Sequence, residues 1–165
     1  MERISEETCA KMNSLATKCF ELNAEFDNLA YSLEYNYFHQ IANIIHYHIA
    51  HIMPEFADLI TDKMLELSVR PVRQNISGYG KEYTNVLAAF ISLRDAMYSF
   101  RSGIKDLIYT ADMNEDDEAR IFAEELLDKV SLYIKQSEEW VSAAQNLTDH
   151  EMNIHIKEYT HFIEI

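Results

Sequence analysis

Very little interrupts this chain: 165 residues contain three glycines and two prolines, Pro54 and Pro71. Between the interruptions, apolar side chains recur at alternating gaps of three and four. Met12, Leu15, Cys19, Leu22, Phe26, Leu29 and Leu33 form one such stripe. Tyr83, Val86, Phe90, Leu93, Met97, Phe100, Ile104 and Leu107 form a second. Ala123, Leu126, Val130, Tyr133, Ser137, Trp140, Ala144 and Leu147 form a third. Each stripe lies along one face of a helix and has to be buried against other helices. The expected fold is all-α, a four-helix bundle. Such a bundle offers one natural place for chemistry, where polar side chains converge from facing helices.

The length suits one domain with a full core. The expected division is a bundle over residues 1–147 and a C-terminal tail over 148–165. Nearly half of the residues are apolar, which excludes a disordered chain. No apolar run is long enough to span a bilayer, and the N-terminus lacks the apolar segment of a signal peptide. A net charge of −14, with no basic arm at either end, opposes unaided nucleic-acid binding and attracts divalent cations. Cys9 and Cys19 lie about 15 Å apart on one helix, too far for a disulfide. Two small buried or half-buried thiols fit a reducing, cytoplasmic setting.

Local signals place the helices. Ser5 is an N-cap, followed by Glu6 and Glu7 in the first turn, and this helix runs to about Tyr37. A break falls between Asn36 and Asn43. The second helix starts at His39 or Ile44 and runs to Val69, with Ile45, Ile49, Ile52, Phe56, Leu59, Ile60, Met64 and Leu67 as its core face. Pro54 should kink it, and Arg70–Pro71 ends it. Pro71 to Gly80 is a linker. The third helix runs from Lys81 to Thr110, with Gly103 as a close-packing point. The fourth runs from Asp116 to Leu147 after a short acidic turn.

Four of the seven histidines, His39, His46, His48 and His51, fall close together, followed by Glu55, Asp58, Asp62 and Glu66. At about 100° per residue, His51, Glu55, Asp62 and Glu66 share a sector of roughly 60°, turned roughly 130° from the apolar face. Imidazole with carboxylate is a ligand set for iron, zinc or manganese. The spacing of His51 and Glu55, repeated by Asp62 and Glu66, lets each pair reach a common ion. A solvated acidic face is the simpler reading of the same residues. His46 and His48 fit a ligand role less well and are expected to flank the site. His150, His155 and His161 are expected to be exposed. Three metal-site patterns fail. A hemerythrin-like set needs later histidines, but none lies between His51 and His150. Paired Glu-x-x-His motifs and a His-Glu-x-x-His string are also missing.

The spacing of His39, His51 and Glu55, with Glu66 eleven residues on, resembles the Dps-type mini-ferritins of the ferritin-like superfamily. The last expected helix, from Asp116-Asp117-Glu118 through Tyr133 to Trp140, is similar as well. The resemblance covers most of residues 8–147. It implies a ferritin-like bundle assembled as a homo-oligomeric shell. Iron would bind between two subunits, be oxidised from the ferrous state and be stored inside. His39, His51, Glu55 and Glu66 would be metal ligands, with Asp62 as an additional acid. The resemblance also implies a crossover along the whole bundle, and the ten residues of the linker reach at most about 35 Å.

Arg70 stands where the family's final glutamate would be. That substitution supports a second expectation, a non-catalytic bundle with a degenerate metal site that acts through a partner.

Overall fold

The computed structural model describes residues 4–78 and 80–165. It is all-helical among those residues. Six α-helices follow in order: α1 (Glu6–Tyr35), α2 (His39–Ile45), α3 (Ile52–Glu66), α4 (Val86–Met113), α5 (Asp117–Ala144) and α6 (Asp149–His155). A π-helical turn, His46–Ala50, joins α2 to α3, and a 3-10 turn, Ile156–Tyr159, follows α6. No described helix is long and apolar enough to cross a membrane.

The three stripes are buried as expected, with Tyr133 and Leu147 only half-buried. Phe90 stacks on Trp140 at 5.3 Å between ring centres, and Phe56 meets Tyr133 edge-on at 5.6 Å. Gly103 packs against α1: a Cβ there would lie 3.2 Å from Leu15 Cδ1.

Ser5 caps α1 as expected, its hydroxyl accepting from the Thr8 amide. Asp116 does not cap its own helix. Its carboxylate instead accepts from the Ser5 amide, the Ser5 hydroxyl and the Thr8 hydroxyl. That anion sits at the positive end of α1 and ties it to the α4–α5 turn.

Three helices end without glycine. Tyr37, Ser68 and Glu115 adopt φ of 70°, 62° and 57°. Each is followed by the six-to-one bond of a Schellman motif: Phe38 to Leu33, Val69 to Met64 and Asp116 to Ala111. The break after α1 therefore falls at residues 36–38, inside the expected interval.

The connection after α3 decides the topology. The described residues between 67 and 85 carry no helix, because α4 starts at Val86 and not at Lys81. The Val72 amide donates to Asn13 Oδ1, Arg73 lies over the Phe20 ring, and the Tyr83 amide donates to Ser32 Oγ. The segment thus climbs α1 from Asn13 to Ser32, a distance of about 28 Å. The five residues trimmed from the expected helix give the linker the length it needs. Lys11 then pairs with Asp106 at 2.6 Å and Glu7 with Asn114, so α4 runs antiparallel to α1. Because α2–α3 is also antiparallel to α1, α3 and α4 run parallel.

The C-terminal segment is more ordered than its weak patterning suggested. Thr148 and Glu151 form a capping box at the start of α6. Buried Gln136 donates to the Tyr159 carbonyl and accepts from the Phe162 amide. The Trp140 indole donates to Thr160. Asn153 Oδ1 accepts from the Gln40 and Ile41 amides, capping α2 from a distance, since Phe38 supplies no side-chain cap.

Candidate metal centre

Pro54 shapes the segment that carries the histidines. It is the third residue of α3. It has no N–H to offer the Ala50 carbonyl, and its ring crowds that carbonyl in an α-helix. The chain answers with one π-type turn, the His51 amide donating to the His46 carbonyl five residues back at 3.2 Å. Asn23 Nδ2 donates to the Ala50 carbonyl at 2.8 Å. The expected kink is thus a π turn just before the proline.

The π turn changes which side chains share a face. In an α-helix, residues five apart are turned by about 140°. A wider turn brings them nearly into line, and the His46 and His51 ring centres lie 4.4 Å apart. Asp27 on α1 reaches the same place: its Oδ1 lies 2.7 Å from His46 Nδ1. One donor atom from each of Asp27, His46 and His51 lies within 4.8 Å of the other two. Asp27 and His46 are half-buried and His51 is exposed. Tyr47 sits edge-on to both imidazoles, at 4.6 and 5.3 Å, and Tyr31 lies 6.0 Å from His46.

Two imidazoles and one carboxylate are a donor set for a divalent transition metal that keeps open positions. A tetrahedral ion about 2.1 Å from its donors holds them about 3.4 Å apart. To reach that spacing the 2.7 Å Asp27–His46 contact would have to open and the exposed His51 ring to turn inward. Without an ion, the Asp27 contact fixes the plane of the His46 ring.

The residues expected as ligands have separate surroundings within the chain. His51 belongs to the cluster. His39 pairs through Nδ1 with Glu34 at 2.7 Å, with both groups exposed. Glu55, Asp62 and Glu66 border a groove between α3 and α5. There Glu66 lies 3.3 Å from Lys63. Burial, aided by the Glu55 carboxylate, raises the pKa of the Tyr133 phenol. No group of three donors forms among these acids in the described residues. Arg70 is exposed, four residues past the end of α3. His150 and His161 are exposed as expected, and His155 is half-buried; His161 Nδ1 also contacts Glu139 Oε2 and helps dock the tail.

His46 and Asp27 were not expected as donors. One signal for His46 was present: Ile41, Ile45, Ile49, Met53 and Ala57 are all buried and recur every fourth residue. An ideal α-helix would turn such a series by about 40° at each step. The π turn absorbs that drift. On α1, Asn23, Asp27 and Tyr31 are spaced by four and all face the turn. Nothing in the sequence separated that row from an ordinary polar face.

A cavity of about 680 Å³ adjoins the centre. Tyr31, Glu34, His39, Asn43, His46 and Lys157 are among its walls. No known protein family and no curated protein matches the sequence.

Proposed function

We propose that the protein is a metal-binding four-helix bundle of ferritin-like connectivity, and that its centre is Asp27, His46 and His51. The observation that carries this reading is the convergence of three donor atoms within 4.8 Å at a π turn. Single π turns inside helices occur frequently at functional sites. The single crossover along α1 supports the ferritin-like reading, because such folds carry one long crossover connection. Two imidazoles and a carboxylate with open positions favour ferrous iron among redox-active ions. Bound there, ferrous iron would supply one-electron chemistry with an oxidant. The chain's own contribution is to bring Asp27 to His46, to present His51 from solvent and to flank the site with Tyr31 and Tyr47.

All three donors come from one chain, so this centre needs no neighbouring subunit. Assembly into an iron-storing shell is a separate part of the proposal, suggested by the family resemblance. His39, Glu55, Asp62 and Glu66 would serve it only at a contact between protomers.

Cobalt(II) and zinc(II) titrations of tag-free protein, followed by absorption and calorimetry, test the centre. One ion should bind per chain. Asp27→Ala, His46→Ala and His51→Ala should each weaken binding at least about tenfold. His39→Ala and Glu66→Ala should leave it unchanged. Binding that survives both His46→Ala and His51→Ala would refute the assignment. Light scattering tests the shell: a particle of many subunits supports storage, and a monomer or dimer removes it.

A further inference from the structure

The cavity beside the centre has a chemistry of its own. Its floor is apolar, formed by Ala30, Ala42 and Ile44, and the rings of Tyr31 and Tyr47 flank it. Its volume of about 680 Å³ lies in the range of small-molecule pockets. His46 belongs both to the cavity wall and to the three-donor cluster, so one end of the cavity lies at the metal site.

Charge at the mouth selects the ligand. Glu34, the one acidic wall residue, is matched by His39 at 2.7 Å. His46 is matched by Asp27. Lys157, carried by the 3-10 turn after α6, is exposed and has no carboxylate within ion-pair distance among the described residues. A chain of net charge −14 thus presents an unmatched cation at this cavity. An apolar, aromatic-sided slot with one cation at its rim suits a small carboxylate with a flat apolar body.

We propose that this cavity binds a small aromatic or similarly apolar monocarboxylate, with Lys157 holding the carboxylate and Tyr31 and Tyr47 flanking the body. The proposal rests on the metal reading only for the cavity's inner end, where a ligand would lie beside the ion. Its recognition by Lys157 and the tyrosines stands without the ion.

Benzoate is the probe, measured by calorimetry and saturation-transfer NMR on protein with and without bound zinc. Zinc affinity is measured separately in each variant. Benzoate should bind the wild-type protein in both forms. Lys157→Gln should weaken it by about tenfold, the effect of losing one charge-assisted hydrogen bond. Asn43→Trp, at an exposed wall position, should block it by bulk. Neither substitution should change zinc affinity. Absence of benzoate binding in both forms would overturn the proposal, as would binding unaffected by both substitutions. If zinc fails to bind while benzoate binding keeps its sensitivity to Lys157 and Asn43, the metal reading falls and the cavity assignment stands.

Discussion

The side-chain amide of Asn23 donates to the Ala50 carbonyl at 2.8 Å, and Ala50 is the residue whose α-helical donor would have been Pro54. A helix residue four positions before Asp27 therefore supplies what the proline withholds. Asn23→Leu should strand the carbonyl of buried Ala50 and destabilise the fold by about 1–3 kcal/mol. Urea unfolding would show this as a lower midpoint at unchanged slope. A change within error would mean that water replaces the amide without loss.

Pro54→Ala restores the missing N–H and removes the reason for the π turn. The segment should relax toward a plain α-helix, rotating His46 away from His51. Metal affinity should then fall at least about tenfold, while stability holds or rises. Titration with cobalt(II) beside a urea curve separates the two effects. Unchanged affinity would show that the π turn persists without the proline.

Metal binding should stabilise the chain by mass action. At zinc a hundredfold above its Kd, the gain is about 2.7 kcal/mol, a Tm rise of roughly 5–10 °C for a chain of this size. Asp27→Asn should abolish most of the rise, and Glu66→Gln should not. A thermal scan with and without zinc measures it. An equal rise in Asp27→Asn would place the ion elsewhere.

Tyr37, Ser68 and Glu115 hold left-handed conformations that cost a side chain about 1 kcal/mol relative to glycine. Ser68→Gly and Glu115→Gly should each stabilise the protein by up to about that amount, visible as a raised Tm. Destabilisation would show that these side chains make contacts worth more than the backbone strain.

Burial pushes the Cys19 thiol up to about 12. At pH 8 only Cys9 should react with a thiol reagent in the native protein, and both cysteines should react in denaturant. The sign of the linkage follows. Above about pH 9 the unfolded thiol loses its proton while the folded one keeps it, so stability falls as pH rises toward 12. Cys19→Ala should flatten that part of the pH profile. Rapid native labelling of both thiols would contradict the burial.

The helices were legible because their apolar stripes are long and regular. Met12 through Leu33 on α1 repeats at helical spacing without a fault, and every member is buried. The second segment was legible only in part. Leu59 fits an uninterrupted helical face, yet it is 36% exposed, because the π turn shifts the phase that began at Ile41. The same shift hid the pairing of His46 with His51, which five residues of α-helix would set apart. Asp27 was hidden for another reason: a single acid beside Phe26 has no local signature, and its partner lies nineteen positions away. The acids Glu55, Asp62 and Glu66 do share one face, as the spacing implied, but within the chain that face borders a groove rather than a cluster of donors.

Asn153 gives the cap of α2 a consequence for biosynthesis. The amides of Gln40 and Ile41 emerge from a ribosome more than a hundred residues before the carboxamide that satisfies them. During translation the helix leading into the histidine cluster has an open start, and it closes only after Asn153 has been made. Slow elongation between the codons for Ile41 and Asn153 would therefore prolong the interval in which that cluster is unformed.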